Sequence, residues 1–469
     1  MAEGESSAEP QRAISAAAEP ADERDAEVPP IRRLISAHQL LLLIVVAVLV
    51  RLALTPLTAN LPNGLTDEGF WKYWMRAIHN DGVLNIFRTT NTDYVGYHWV
   101  LWLMTLAWDA VGGSYSEQDT PLHIFVKLPS IIFDVVLILA VFGATKTVLR
   151  EHGGWSPERA HRTALLAGAI IAFQPAVLYD SAIWAQTDSA ITAAMLGAIV
   201  LAFRGKPFSA GAVWAIGLAI KPHPVILGPV LLLLLWRSGG LHSAMRAGAG
   251  IAVVATVVLG PWILHGELLR IIDVYEVLFT RERDRLSELA WNLWWVFDYR
   301  GDPRPEARII GTVPLTFKQA GLIVSMLSGA LALAYTWFRP GLRGALVAAA
   351  YLAFAFYAWP IGAHERYLYP FLGLLLPVVL VERRWSPLYA ALSITFFLNL
   401  FVVAPPLARW MDQWVYEEFG AIVAGINATL LGVCTVMLLH GVWQRWRVSP
   451  GGSVHPEPLE GSRVGSLSR

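Results

Sequence analysis

Apolar runs near 37–57, 95–111, 122–148, 163–181, 187–203, 208–220, 223–236, 247–264, 318–337, 343–359, 367–381, 387–404 and 420–440 take up most of this 469-residue chain. A helix needs about 20 apolar residues to cross a hydrocarbon layer, and within that layer backbone polar groups must be satisfied internally. Runs of this length and number restrict the chain to an all-α polytopic membrane protein with about 13 transmembrane helices. Composition agrees. Hydrophobic residues make up 55% and charged residues 15%, where soluble domains carry about 25% charged residues.

Thirty-six basic and 36 acidic side chains balance, so nothing in the charge points to nucleic acid as a partner. The lone Cys434 excludes an intramolecular disulfide and a cysteine-built metal site. Residues 1–34, rich in Ala, Glu, Ser and Pro, read as a disordered acidic cytoplasmic tail without the apolar core of a signal peptide. Residues 446–469 read as a second tail, leaving 35–445 as one integral membrane domain. Basic residues mark cytoplasmic loops. Arg32-Arg33, Arg204/Lys206, Arg237/Arg246, Arg339/Arg343, Arg383-Arg384 and Arg445/Arg447 form one consistent set. They place a long first loop (58–94), a second large loop (265–316) and the segment around His364 on the extracytoplasmic side. Arg150, Arg159 and Arg162 break the pattern, because two expected helices separate them from the first loop. Either one segment between 95 and 180 fails to cross, or 208–236 is a single broken helix.

Polar clusters at the mouths of these runs are the candidates for chemistry, since ionisable groups in a membrane are costly unless they meet a partner, a cavity or a ligand. His364-Glu365-Arg366-Tyr367 sits between two apolar runs. Arg366 suits bidentate contact with a phosphate, His364 can donate a hydrogen bond, and Glu365 can orient either; the competing reading is an internal Glu365–Arg366 ion pair. Asp67-Glu68 lies in the first loop beside Phe70, Trp71, Tyr73 and Trp74, an aromatic set that favours the headgroup layer. A carboxylate there can take a proton from an acceptor hydroxyl. Asp93-Tyr94 reads as a cap of the second helix.

Lys127 and Asp134, seven residues apart on one helical face, form either a structural pair or a substrate contact. Trp184-Ala185-Gln186-Thr187-Asp188 is a polar island that points to a helix break lining or supporting a site. Lys221-Pro222-His223-Pro224 forces another break, and its lysine can serve a phosphate or snorkel to the headgroups. Arg51 invites the same two readings. The charged stretch 281–285 is expected as a surface amphipathic helix or a solvated loop. Neither an Asp-x-Asp motif nor a Walker-type phosphate loop is present, which argues against a nucleotide donor and an ATP-driven pump.

The order Asp67-Glu68, Asp93-Tyr94, Gln174-Pro175, Trp184-Ala185-Gln186-Thr187-Asp188, Lys221-Pro222-His223-Pro224, Asn292-Leu293-Trp294-Trp295 and His364-Glu365-Arg366-Tyr367 resembles bacterial membrane glycosyltransferases of the GT-C superfamily. The likeness spans roughly residues 37–381 and is nearest to polyprenyl-phosphate-mannose-dependent mannosyltransferases. It implies a multi-pass cell-membrane enzyme that moves a sugar, mannose first among the candidates, from a polyprenyl-phosphate donor. The acceptor would be a lipid, glycan or protein at the extracytoplasmic face. It implies Asp67 as general base with Glu68 as the alternative, and donor-phosphate or acceptor contacts for His364 and Arg366. Glu365, Lys221, Gln186 and Asp188 complete the expected substrate-binding set. No cofactor and no metal are expected, and the partners are membrane lipid, the lipid-linked sugar and a glycan or glycolipid acceptor. Such relatives usually carry Trp-Gly-Gln where this chain has Trp184-Ala185-Gln186. The competing functional class is a lipid-linked-sugar flippase or another transporter, which the broken helix at Lys221 would suit.

Overall fold

A computed structural model describes residues 30–58, 67–116, 119–280, 285–298, 304–403 and 415–448; both expected tails except residues 30–34 and 446–448 lie outside it. The described residues are almost entirely helical. The first helix, Pro30–Leu54, already includes 30–34, so the helix starts a little earlier than expected.

Among the described residues, six helices are long and apolar enough to cross a membrane: His38–Thr58, Thr120–Glu151, His223–Leu264, Phe317–Phe338, Arg383–Val403 and Glu417–Arg447. Pro157–Ala172 and Pro175–Ile183, bent by 53° at a short break, make up to seven. Asp188–Phe203, Pro207–Ile220 and Leu342–Ala358 are shorter apolar helices. The expected count of about 13 is therefore not met by membrane-length helices, for three visible reasons. The runs at 223–236 and 247–264 join in Gly228–Leu264, interrupted by non-helical backbone at Gly239 and Gly240. The run at 367–381 yields only the 11-residue Tyr369–Val379. The run at 95–111 yields the 14-residue Tyr97–Ala110, about 21 Å long against a hydrocarbon core of about 30 Å.

Tyr97–Ala110 packs along Glu68–Asp81 instead of crossing. The reason is aromatic. Trp71, Trp74, Met75 and Ile78 recur at helical spacing and are buried, while Phe70 and Tyr73 on the other face are exposed. Trp71 stands 4.8 Å from Tyr97 and 5.2 Å from Trp74 in ring-to-ring contact. In its described residues the first loop is thus a small helical layer rather than an extended polar connection. Asp93 does not cap the second of these helices: its N-cap is Gly96, with no side-chain cap hydrogen bond.

Contacts between loops resolve the misfit in the basic residues. Arg204 Nη2 donates to Thr147 Oγ1 at 2.5 Å, and Glu151 Oε1 accepts from the Leu342 amide at 3.0 Å. Arg343 and Arg384 both meet Glu382, and Arg237 Nη1 donates to the Trp337 carbonyl at 2.8 Å. The turn beyond residue 150 therefore lies at the same end as the other basic loops. Of the two alternatives, the first applies, and the segment that does not cross is 95–111.

Leu342–Ala358 is buried along almost its whole length and is built largely of alanine, with Gly344 near its start. Small side chains let neighbouring helices approach closely where lipid tails offer no hydrophobic advantage. It packs against Phe317–Phe338 and Tyr369–Val379. Arg51, where snorkelling was one reading, is buried and pairs with Asp134 at 2.5 Å, each 1% exposed. Asp134 is thereby committed to Arg51, and Lys127 has other partners, so the two do not pair with each other. Removing one member of a buried pair leaves an uncompensated charge, at a cost of about 3–5 kcal/mol.

The two-ended arrangement is testable by labelling. In a Cys434→Ala background, Ser116→Cys and Arg159→Cys, both at exposed positions, should react with an impermeant thiol reagent from opposite sides of sealed vesicles. Labelling from the same side would overturn the crossing by Thr120–Glu151, and Asn80→Cys, exposed on the first loop, reacting from the side opposite to Ser116→Cys would mean that 95–111 crosses.

Candidate functional site

The site is organised by the break between Ala172 and Asp188. Gln174 begins it: its Oε1 accepts from the amides of Ala176 (2.5 Å) and Val177 (3.2 Å), and Pro175 fills the first helical position, where a missing N–H is harmless. A π-helical turn, Tyr179–Ile183, follows, and the chain then leaves helical geometry through Trp184, Ala185 and Gln186. Ala185 has φ +65°. This left-handed conformation costs a Cβ-bearing residue about 1–2 kcal/mol. Trp71 Nε1 holds the turn by donating to the Ala185 carbonyl at 2.8 Å.

A helix end buried in an apolar layer leaves carbonyls that need donors. Lys127 supplies them. Its Nζ reaches the Ala182 and Ile183 carbonyls at 3.0 and 3.1 Å, the Thr55 carbonyl at 3.4 Å and Thr58 Oγ1 at 2.5 Å. Glu68 neutralises this ammonium at 3.4 Å, meets His123 Nδ1 at 2.5 Å and Lys72 at 3.4 Å. The His123 hydrogen bond and the neighbouring lysines outweigh the opposing effect of burial and hold the Glu68 carboxyl below its ordinary range. Glu68 is therefore occupied in tying the first helix, Glu68–Asp81 and the break together.

Its neighbour Asp67 faces another set. Gln186 Nε2 donates to Asp67 Oδ2, and Arg366 Nη2 lies 3.8 Å from the same oxygen. Gln186 Oε1 in turn accepts from Lys221 Nζ at 2.7 Å, and Lys221 meets both oxygens of Asp188 at 3.0 Å. Lys221 caps the end of Pro207–Ile220 in extended conformation and carries the ring of Tyr94 5.5 Å from its ammonium. A continuous polar path thus runs Asp188–Lys221–Gln186–Asp67–Arg366–Glu365. Its order assigns the amide: because Oε1 faces the lysine, the NH2 group of Gln186 must face the carboxylate.

Asp67 keeps 21% of its side chain exposed, whereas Lys221 and Glu365 are sealed. Burial pushes the Asp67 carboxyl above its ordinary value, against the pull of Arg366 and Lys221. Glu365 goes the other way. Burial opposes its charge, but Arg366 at 2.7 Å and the nearby His364 prevail and hold it at about 2. The expected Glu365–Arg366 ion pair exists, and its guanidinium still reaches Asp67.

His364 is set in place by the second large loop. Ala363–His364 pairs in parallel with Ser287–Glu288, and Leu289 bridges to His364. Residues 281–284, where an amphipathic helix is one expectation, lie outside the described residues, which in this stretch include the helix Leu268–Thr280. The loop is not simply solvated: Leu286, Ala290, Trp291 and Asn292 are fully buried. Asn292 Nδ2 donates to the Tyr357 carbonyl at 2.9 Å, Asn399 Nδ2 to Leu289 O at 3.0 Å and Asn427 Nδ2 to Trp291 O at 2.9 Å. The Asn292-Leu293-Trp294-Trp295 motif is therefore a clamp that holds the loop onto the helices.

Every residue expected in the site except Glu68 falls on or beside the Asp188-to-Glu365 path. Sequence reasoning missed three supports. Trp71 read only as an interfacial aromatic, His123 had no motif around it, and His223 lay inside a quoted motif without a role. Among the described residues, no group of three or more His, Cys, Asp and Glu side chains is arranged to hold a metal ion.

Replacing Lys127, which is fully buried, isolates the support of the break from the reacting groups. Lys127→Met strips donors from buried carbonyls and should cost on the order of 3 kcal/mol, read as a lower unfolding temperature. Turnover should fall through kcat as the Gln186 turn loosens. Wild-type stability and kcat together would show that the lysine does not hold the turn.

Individually curated proteins give no match to the chain. The family model for glycosyltransferase family 87 matches residues 120–360, 241 of the 469 residues and so just over half of the chain. The matched segment contains Lys127, the broken helix, Gln186, Asp188 and Lys221, while Asp67 and His364–Arg366 flank it. The family describes a membrane glycosyltransferase, in keeping with the apolar spans and the polar path buried at one end of them. The chain belongs to glycosyltransferase family 87.

Proposed function

We propose that this glycosyltransferase moves a sugar, mannose first among the candidates, from a polyprenyl-phosphate donor to a hydroxyl of a lipid, glycan or protein acceptor. The active site opens on the extracytoplasmic side of the cell membrane, and the architecture is of the GT-C kind. The observation that carries the reading is the placement of Asp67: a partly exposed carboxylate oriented by an amide and a guanidinium, at the mouth of a membrane bundle. The basic loops gathered at the opposite end support the assigned orientation, since such loops favour the cytoplasm.

In this mechanism the acceptor hydroxyl loses its proton to Asp67 while its oxygen attacks the anomeric carbon from the face opposite the phosphate. The new glycosidic C–O bond forms as the bond from the anomeric carbon to the phosphate oxygen breaks, and the polyprenyl phosphate leaves with the electron pair. Configuration inverts. One base suffices, because the departing phosphate is already a weak base and needs no proton. Arg366 faces the charge that develops on it. Gln186 keeps Asp67 pointed, and Lys221 keeps Gln186 pointed. A carboxyl raised by burial is a better proton acceptor than a solvated one, which suits the task. A carrier reading explains the broken helix, but it leaves the family membership and this oriented acid without a purpose.

The test is sugar transfer in nanodiscs with a panel of polyprenyl-phosphate sugars. Asp67→Asn should lower kcat by at least about a hundredfold, the scale of general-base catalysis, with donor binding kept. Stability should not fall. The raised folded-state carboxyl contributes stability below the unfolded value that is lost as pH rises through the folded one, so at neutral pH the ionised Asp67 is a burden that Asn removes. Undiminished transfer by Asp67→Asn would overturn the assignment.

Activity should also depend on pH through the same group. Asp67 must be ionised to act, so kcat/KM should rise with pH and level off, with a midpoint above the ordinary aspartate value of about 3.9. An acid limb at or below that value would place the base elsewhere.

A further inference from the structure

The reading above leaves open which groups receive the phosphate of the donor. Two cations were candidates from sequence, Arg366 and Lys221. An ammonium has three N–H donors, and Lys221 already has three acceptors within 3.0 Å, namely both oxygens of Asp188 and Oε1 of Gln186, while its side chain is fully buried. Nothing remains on it for a phosphate.

His223, two residues on, is in the opposite condition. Neither of its ring nitrogens has a hydrogen-bond partner, although both are shielded from solvent. Buried polar atoms left in this state call for an explanation, and an absent ligand is one. The ring is held firmly: it meets Tyr367 edge-on at 4.3 Å and Phe356 at 5.8 Å, and these two stack on each other at 5.2 Å. His364 lies against the same tyrosine at 5.2 Å. The charged groups acting on the His223 ring are Lys221, Arg366 and His364, every one of them basic. Arg366 repeats the pattern, since its Nε is buried and without a partner, while Nη1 serves Glu365 and Nη2 faces Asp67. Two unfilled donor positions, one on a clamped imidazole and one on a guanidinium, therefore occur within one neighbourhood rich in basic groups.

We infer that His223 and the Nε of Arg366 together form the seat for the phosphate of a polyprenyl monophosphate, and that Lys221 takes no part in it. This rests on the donor class proposed above. His223 then donates an N–H to a phosphate oxygen and Arg366 contributes a charged N–H, while the aromatic wall of Tyr367 and Phe356 fixes the imidazole. Asp67 lies 3.8 Å from Nη2 of the same guanidinium, so Arg366 links the base to the leaving group.

The experiment measures binding of farnesyl phosphate and of farnesol to the full-length protein in nanodiscs, with wild type, His223→Phe and His223→Gln. Phenylalanine keeps the ring contacts and removes both nitrogens; glutamine restores one N–H. The seat predicts that wild type prefers the phosphate to the alcohol. It predicts that His223→Phe loses roughly ten- to a hundredfold in affinity for farnesyl phosphate, the scale of one charge-assisted hydrogen bond, with farnesol unaffected. His223→Gln should recover part of the loss, and in turnover the donor KM should rise while the acceptor KM holds. Wild-type affinity of His223→Phe for farnesyl phosphate, with unchanged thermal unfolding, would overturn the seat alone. Equal weakening towards farnesol would make the histidine a packing residue and overturn it too. Wild type that binds farnesyl phosphate no better than farnesol would overturn the donor class, and the seat with it.

Discussion

The ammonium of Lys127 carries much of this architecture, because a helix broken in an apolar layer cannot leave its carbonyls to water. The Tyr179–Ile183 turn ends in two such carbonyls, and Lys127 answers both while also gripping Thr58. A buried ammonium needs a counter-charge, and Glu68 provides it. That single requirement fixes the start of Glu68–Asp81 against the break, and Asp67 precedes Glu68 by one residue. The base candidate is positioned because its neighbour is a structural necessity. Adjacent carboxylates have thus divided roles: one is sealed among His123, Lys127 and Lys72, the other faces the opening.

The same economy runs through the rest of the site. Asp188 satisfies Lys221, Lys221 orients Gln186, and Gln186 orients Asp67. On the other side Glu365 anchors Arg366, whose free edge reaches towards Asp67. Arg51, Lys127, Asp134, Asp188, Lys221 and Glu365 are all buried and all have charged partners, whereas neither oxygen of the sealed Asp180 has a hydrogen-bond partner. The second large loop joins in through backbone pairing with His364 and three buried asparagines. Asparagine suits this duty, since it offers a donor and an acceptor without the cost of a buried charge.

Legibility varied with the kind of signal. Apolar length identified the membrane-length helices but not Glu68–Asp81 or Leu268–Thr280, and it overstated the number of crossings. The run at 95–111 is apolar because it packs on the aromatic face of Glu68–Asp81, not because it spans. Periodicity within one run cannot separate those two causes of hydrophobicity. The basic residues registered the error as an inconsistency and even named its two remedies, and only the contacts of Thr147 and Glu151 chose between them. Among site residues, local motifs drew attention to Gln186, Asp188, Lys221 and Arg366, whereas His123 and Trp71 carry no local mark because their partners lie 55 or more residues away in sequence.

The sequence by itself determined the solvent of this protein, the helical class and the short polar segments where chemistry must lie, since those follow from local apolarity and from the cost of charges in a membrane. Family membership reinforces that outline. The tertiary structure alone decided which charge meets which: Arg51 with Asp134, Lys127 with Glu68, Lys221 with Asp188, and Arg366 between Glu365 and Asp67. In a sequence these residues are interchangeable acids and bases. Within a few ångströms in a medium of low polarisability, pairing fixes which ones are consumed in holding the fold and which remain for a substrate.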